Sequence, residues 1–214
     1  MIDYTKELND EQRAVVAGGD GPCLVLAGAG SGKTRTIVYR VAYLIERGVS
    51  PKNILLLTFT NKAAQEMMRR VETLLGSSVK GLWGGTFHSL AHRILRRLAA
   101  AAGYGENFTI LDQDDSRDLI KACLKDLDLD IKARRFPSPA VLQAIISFSR
   151  NAAWPLPEAI SVKHQTFCSL EKEIEKIAAF YSEKKLAINA MDFDDLLIVL
   201  LELLQKNQAM ARRW

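Results

Sequence analysis

Cysteine is scarce. The 214 residues hold three, Cys23, Cys123 and Cys168, far apart and with no C-x-x-C pair. That argues against a disulfide or zinc scaffold and fits a reducing cytoplasm. Long apolar runs are also missing. The longest, Leu196 to Leu201, is far too short to span a bilayer, so no membrane segment is expected. The opening MIDYTKELNDEQ lacks a basic stretch followed by an apolar one and does not read as a secretory signal. There is no internal repeat and no low-complexity linker. Neither sign of charge dominates: a net +4 and a pI near 9.0 permit a polyanionic partner without requiring one. Hydrophobic content of 48% and charged content of 25% are those of an ordinary globular chain of one or two domains.

What is present centres on Ala27–Thr34, AGAGSGKT. An apolar run, Cys23 to Leu26, precedes it, and helical spacing follows, with Ile37, Val41 and Leu44/Ile45 on one face. Strand, glycine-rich loop and helix form the context a phosphate-binding loop requires. Gly28, Gly30 and Gly32 are expected to open backbone conformations closed to other residues. The N–H groups of Ala27, Gly28, Ala29, Gly30, Ser31 and Gly32 can then converge on an anion at the positive end of the helix. Lys33 can reach the β- and γ-phosphates, and the Thr34 hydroxyl can ligate Mg²⁺. Ala27 stands where the G-x-x-x-x-G-K-[ST] pattern has its first glycine. The plainer alternative is a glycine-rich turn followed by chance with Gly-Lys-Thr.

Around this loop the pattern predicts a βαβ unit. A helix from Leu8 to about Ala17 is capped by Asn9, with Gln12 at the third position as a variant capping box. The helix after the loop runs to about Arg47 and stops at Gly48. Asn53 to Phe59, NILLLTF, reads as a strand buried on both faces. Thr60-Asn61-Lys62 opens a helix to about Leu75, Leu82 to Phe87 is a third short strand, and His88 to Ala102 is a helix. That last helix carries a basic face of His92, Arg93, Arg96 and Arg97, which solvation alone would explain. From about Gly103 the alternation ceases. Phe108 to Leu111 is a short extended piece. Helices are expected over Asp112–Leu129, Ala140–Asn151 and about Thr166–Ala187, with breaks at Pro137-Ser138-Pro139 and Trp154 to Pro157.

The last clear helix, Asp192 to Gln205, is capped by Asp192 and apolar nearly all round, so it should be buried. Only three strands suit a P-loop sheet, and no apolar run ends in Asp-Glu to hold the Mg²⁺ shell. The chain is therefore expected to be the N-terminal portion of a larger protein.

Four stretches in order, LNDEQRAVV (8–16), AGAGSGKTRT (27–36), LTFTNKAAQEM (57–67) and GGTFHSL (84–90), together with NAMDFDDLL (189–197), resemble the UvrD/Rep/PcrA group of superfamily 1 DNA helicases. The resemblance runs from near residue 5 to the end. It implies an α/β fold: a P-loop, RecA-like parallel sheet with helices on both faces, incomplete here, plus an inserted mainly helical subdomain. Residues 1–104 would be the first part of the RecA-like ATPase domain, 105–190 the insertion, and 191–214 the return, stopping before the DExx motif. Gln12 matches the glutamine that reads adenine, and Arg35 an arginine set against it; the plain alternatives are a cap and a surface charge. Lys33 and Thr34 match the phosphate and Mg²⁺ ligands, and Lys33 is the catalytic cation present. Phe59, Thr60, Asn61 and Lys62 match one DNA-contacting motif, with a buried strand-end phenylalanine and an ordinary cap as the plain alternative, and Thr86, Phe87 and His88 match a second. Phe193 matches an aromatic that enters the base stack; a core residue of an apolar helix is the alternative.

The resemblance implies an ATP-dependent 3′-to-5′ DNA helicase that uses ATP and Mg²⁺, moves on single-stranded DNA and its junctions with duplex, and serves repair or replication from the cytoplasm. The catalytic carboxylate and the arginine fingers are not found in these residues, so this polypeptide alone is expected to be inactive. Two rivals differ in class. A P-loop GTPase or kinase is disfavoured because Asn61-Lys62-Ala63-Ala64 lacks the Asp of N-K-x-D. A non-catalytic DNA-binding module is disfavoured by the apolar final helix. His88 and His92 have the i,i+4 spacing of metal ligands but no third ligand, and the Asp192/Asp194/Asp195 cluster is better explained as a cap and first-turn acids.

Overall fold

A computed structural model describes residues 2–18, 21–127 and 136–212. The chain divides into two compact units, Met1–Ser89 and Leu90–Trp214.

The first unit begins with α1 (Tyr4–Glu7) and α2 (Asp10–Ala17). Asn9 caps α2 in a full capping box: its side chain accepts the Gln12 N–H at 2.8 Å, and Gln12 Oε1 accepts the Asn9 N–H at 3.3 Å. Helix α3 (Lys33–Glu46) follows the glycine loop and ends at Arg47 and the left-handed Gly48. Strand β1 (Leu55–Thr58), α4 (Asn61–Leu75) and β2 (Trp83–Thr86) complete a βαβ unit, with β1 and β2 parallel and Leu56 opposite Gly84. Val38 and Val41 of α3, Ile54 and Leu56, Met67 and Val71 of α4, and Val79 and Leu82 form its core. The close approach of α4 to β2 depends on Gly84, where a Cβ would fall 2.4 Å from the Met68 sulfur.

Two expectations fail here. Residues 23–26 form no strand, and Leu24 and Leu26 are 85% and 87% exposed. A hollow of about 1190 Å³ reaches from Cys23, Val25 and Leu26 to Ile54, Leu55 and Leu56. No described strand lies beside 23–26 to supply the ladder that would fix it. Strand β1 is also not buried on both faces: Leu56 is covered, but Leu55, which borders the hollow, is 48% exposed.

The second unit is mainly helical. Helix α5 (Phe87–Leu98) starts just before the unit boundary and continues into a 3-10 turn, Ala99–Ala102. Half of the basic face expected on α5 is a packing device. Arg96 Nε donates to His92 Nε2 at 2.8 Å, its guanidinium lies 3.9 Å from the centre of the Phe108 ring, and it also bonds the Glu106 carbonyl. Burial, with the Arg96 charge beside it, lowers the His92 pKa, in keeping with an imidazole that accepts. Strand β3 (Thr109–Ile110) leads to α6 (Gln113–Asp126), capped by Asp112; the expected extension of this helix to Leu129 lies outside the described residues. Helix α7 (Pro139–Ala152) starts at a proline with Ser138 as cap.

The break expected at Trp154–Pro157 is only partial, because α8 (Leu156–Lys163) starts inside it. Pro157 sits in the first turn, where a missing N–H costs nothing. A 3-10 turn, Gln165–Leu170, precedes α9 (Glu171–Ala187). Strand β4 (Ala190–Met191) pairs in parallel with β3, a pairing that two-residue strands do not announce in sequence. Helix α10 (Phe193–Lys206) and α11 (Gln208–Ala211) follow. In α10, Leu196 and Leu200 are buried but Leu201 is 55% exposed, so the helix is covered on one face only. The core of this unit joins Ile120 and Leu124 of α6, Leu142, Ile145 and Ile146 of α7, Ile160 of α8, and Ile174, Ile177 and Tyr181 of α9.

Candidate nucleotide and nucleic-acid site

The glycine loop is exposed from Ala27 through Ser31. Its left-handed positions are Gly30 (φ +80°) and Gly32 (φ +86°); Gly28 has no positive φ and nothing within 4 Å of a Cβ placed on it. The expectation of special backbone freedom therefore holds for two of the three glycines. Ser31 closes the turn, its hydroxyl donating to the Gly28 carbonyl at 2.8 Å. Lys33 Nζ donates to the carbonyls of Ala27 (3.0 Å) and Gly28 (2.6 Å), so the cation lies back along the loop. Thr34 is exposed in the first turn of α3.

The N-cap of α3 is Gly32, which provides no side-chain bond to the first-turn amides. In contrast, α2, α4, α6, α7 and α10 all have a capping side chain. Uncapped amides and the positive end of a 14-residue helix thus face the loop. The Gln12 side chain lies against Gly32, and Arg35 starts one helical turn further on. A Cβ on Gly32 would lie 2.7 Å from Gln12 Nε2 and 3.9 Å from Arg35 Cβ. The Gln12 amide does both jobs open to it locally: its oxygen closes the α2 capping box, and its nitrogen donates to the Ser31 carbonyl at 3.0 Å. Arg35 bonds Glu7 and lies over the Tyr39 ring.

At the far end of the sheet, β1 and β2 deliver two aromatics side by side. The rings of Phe59 and Phe87 are 5.9 Å apart, and Phe59 is 90% exposed. A buried strand-end phenylalanine is therefore excluded for Phe59. Thr60 caps α4 by accepting the Ala63 N–H at 3.1 Å, and Asn61 and Lys62 stand exposed on its first turn. Thr86 is tied to Ser89 by three hydrogen bonds that fix the turn from β2 into α5, with Phe87 and His88 between them. The structure thus brings Phe59, Thr60, Asn61 and Lys62 to the end of β1 and Thr86, Phe87 and His88 to the end of the adjacent strand.

In the second unit Phe193 opens α10 and is 48% exposed, which excludes a plain core role. Its neighbours are held fast. Lys185 Nζ lies 2.5 Å from both Asp192 Oδ2 and Asp195 Oδ2, and Arg150 lies 2.6 Å from Asp195 Oδ1. Tyr181 Oη donates to Asp192 at 3.0 Å, and Asn151 donates to Asp194 at 2.8 Å. Burial opposes the charge on Asp192, but the Lys185 ammonium and the Asp195 N–H win and hold its carboxyl below the ordinary value. The acids do cap α10, as expected, and they also anchor it to α7 and α9 through cations that spacing alone did not pick out.

The UvrD/REP helicase N-terminal domain family matches residues 8–214. The chain belongs to this family. It is 42% identical over 210 residues to the ATP-dependent DNA helicase PcrA of Staphylococcus epidermidis (strain ATCC 35984), covering 96% of this chain and 28% of the relative. To the ATP-dependent DNA helicase PcrA of Bacillus subtilis (strain 168) it is 41% identical over 200 residues, covering 93% and 26%. With that of Staphylococcus aureus (strain Mu50) the figures are 40% over 203 residues, 93% and 27%. The chain spans little more than a quarter of the length of these relatives.

In this UvrD/REP-type domain, sequence reasoning left out several residues that shape the site. Glu7 and Tyr39 hold Arg35. Gly85 makes room for the Ser89 hydroxyl, which would lie 2.5 Å from a Cβ at 85. Arg40 ties α3 to α2 through the Val16 carbonyl at 2.6 Å. Only the GGTFHSL stretch carried a signal, through its paired glycines. Among the described residues no group of three or more His, Cys, Asp or Glu could hold a metal ion, and no helix is long and apolar enough to cross a membrane.

Proposed function

We propose that this chain is the nucleotide-binding N-terminal portion of an ATP-dependent DNA helicase that moves 3′ to 5′ on single-stranded DNA, engages single/double-strand junctions, and works in repair or replication in the cytoplasm. The observation that carries the reading is the uncapped start of α3 behind a glycine loop, with Lys33 within it and Gln12 docked on its Ser31 carbonyl. The uncapped first-turn amides of α3 behind this exposed loop suit an anion, and Lys33 needs only to leave two carbonyls to meet a β- or γ-phosphate. Thr34 would ligate Mg²⁺ together with the nucleotide's own phosphates. Gln12, against Gly32, and Arg35, one turn into α3, suit an adenine edge and face. Bound Mg·ATP would supply the binding energy for domain closure in the parent helicase.

Phe59 and Phe87 would offer stacking faces to bases, with Thr60, Asn61, Lys62, Thr86 and His88 positioned for phosphates. Phe193, in the second unit, would itself offer an aromatic face to a base. The proposed organisation is a RecA-like domain begun by residues 1–104, a helical insertion over 105–190, and a return from 191. The hollow between residues 23–26 and β1 suits a further parallel strand of that sheet. The test is nucleotide titration of the chain and of Lys33→Ala. ATP binding is expected to weaken strongly in the variant with unchanged far-UV CD, and wild-type chain that binds GTP as well as ATP would overturn the adenine assignment.

A further inference from the structure

Arg35 is gripped along one edge. Its Nη2 donates to the Glu7 carbonyl at 2.7 Å and to Glu7 Oε2 at 2.7 Å. One terminal nitrogen carries two hydrogens, so these two short bonds occupy it, and the Tyr39 hydroxyl, 3.4 Å from the same nitrogen, is the weaker contact. Tyr39 Oη donates its own hydrogen to the same Glu7 oxygen at 2.8 Å, and the guanidinium carbon lies 5.1 Å from the Tyr39 ring centre. Tyr39 is buried with Leu8 and Val16, so its position is set by the core. The Arg35 side chain is still 48% exposed, and its Nε and Nη1 bond to none of the described residues. Glu7 is itself fixed at the end of α1. That helix is tied to the other end of α3, where Glu46 accepts the Ile2 N–H at 3.1 Å and the Tyr4 hydroxyl at 2.7 Å. The N-terminal segment therefore runs along α3 between two anchors, Glu46 and Arg35, about 16 Å apart along the helix.

We propose that Glu7 and Tyr39 are positioning residues for base recognition: they lock Arg35 beside Gln12 at Gly32 so that its guanidinium face receives the purine. The proposal rests on the reading of Gln12 and Arg35 as the adenine site. An unheld arginine samples many rotamers and must be ordered when a base arrives; the Glu7 grip does this beforehand. The grip takes one edge and sets one face against Tyr39, which leaves the opposite face for the base.

The test is calorimetric titration of the 214-residue chain with ATP, GTP and magnesium tripolyphosphate, repeated for Glu7→Gln and Tyr39→Phe. An exposed ion pair of this kind is expected to carry about a two- to fivefold effect. Glu7→Gln should weaken ATP by that factor, narrow the ATP-over-GTP ratio equally, and leave tripolyphosphate unchanged. Tyr39→Phe should act in the same direction and less. Unchanged or tighter ATP binding in Glu7→Gln overturns the proposal, as does an equal loss for ATP and tripolyphosphate, which would mark Glu7 as purely structural. A wild-type chain with no preference for ATP over GTP overturns the adenine reading itself, and this shows before any substitution is made.

Discussion

Gln12 and Gly32 lie against each other so closely that a single methyl group at Gly32 would fall 2.7 Å from Gln12 Nε2. Gly32 is also left-handed, at φ +86°. Gly32→Ala therefore meets two penalties: about 1–2 kcal/mol for the backbone conformation and the displacement of Gln12 from the Ser31 carbonyl. Gly28→Ala meets neither, and its stability should stay within about 0.5 kcal/mol of wild type. Because Gly32→Ala already displaces Gln12, Gln12→Ala should cost less in that background than alone. Thermal or denaturant unfolding of the four variants checks this; equal costs at Gly28 and Gly32, or strict additivity with Gln12, would show that the contact carries no weight.

The buried charges around Asp192 give a pH-dependent prediction. Lys185 and Arg150 balance Asp192 and Asp195, and Lys185 and Asp195 are almost wholly buried. Lys185→Met leaves two carboxylates facing one cation, at a cost of roughly 3–5 kcal/mol near neutrality. In the wild type the Asp192 carboxyl is held below its ordinary value. Its contribution is present above about pH 4 and lost as pH falls through the lowered value. In the variant, burial without the ammonium should raise that carboxyl, so the variant gains relative stability as pH falls toward about 4. Denaturant midpoints at neutral and mildly acidic pH should therefore converge, and a gap that is constant with pH would sink the account.

Phe59 and Phe87 separate folding from binding. Phe59 is 90% exposed, so Phe59→Ala should leave stability within about 0.5 kcal/mol while weakening single-stranded DNA by roughly 1–3 kcal/mol. Phe87 is 44% exposed and touches Phe59, so Phe87→Ala should weaken both folding and binding. DNA affinity should also fall with salt as phosphate contacts release counterions. Fluorescence anisotropy with oligonucleotides, read beside thermal melts, distinguishes these. Phe59→Ala that lowers the melting temperature but not DNA affinity would make Phe59 a structural residue.

Much of this was legible because local rules and tertiary structure agree. Asn9, Thr60, Asp112 and Asp192 cap helices where their side chains say they should. What escaped depends on partners distant in sequence. The strand read at 23–26 has the right composition but no described neighbour, and composition cannot supply a ladder. The pairing of Thr109–Ile110 with Ala190–Met191 joins pieces about eighty residues apart, each too short to show a period. His92 and Arg96 read as a solvated face because nothing in the helix announces Phe108 beneath them. Glu7 and Tyr39 carried no motif, yet they decide where Arg35 lies.

The last prediction concerns turnover. Hydrolysis of a γ-phosphate needs a carboxylate to orient water and cations to stabilise the developing charge. Lys33 can serve as one cation. Among the described residues, the carboxylate lining the hollow beside the loop is Glu11. It sits in the first turn of α2 next to Gln12, at the end of the site proposed for the base, which is the wrong end for water attacking a γ-phosphate. Glu7 is engaged by Arg35 and Tyr39. An arginine finger alone is worth about 10³–10⁵ in rate, and Arg35 and Arg40 are already committed to Glu7 and Val16. The 214-residue chain is therefore expected to bind ATP without DNA-stimulated hydrolysis. Phosphate release from the purified chain checks this, with Lys33→Ala as the control for contaminating ATPase. DNA-stimulated turnover of about one per second or faster that disappears in Lys33→Ala would mean that a described or neighbouring carboxylate does reach the water, and Glu11→Gln would be the first variant to identify it.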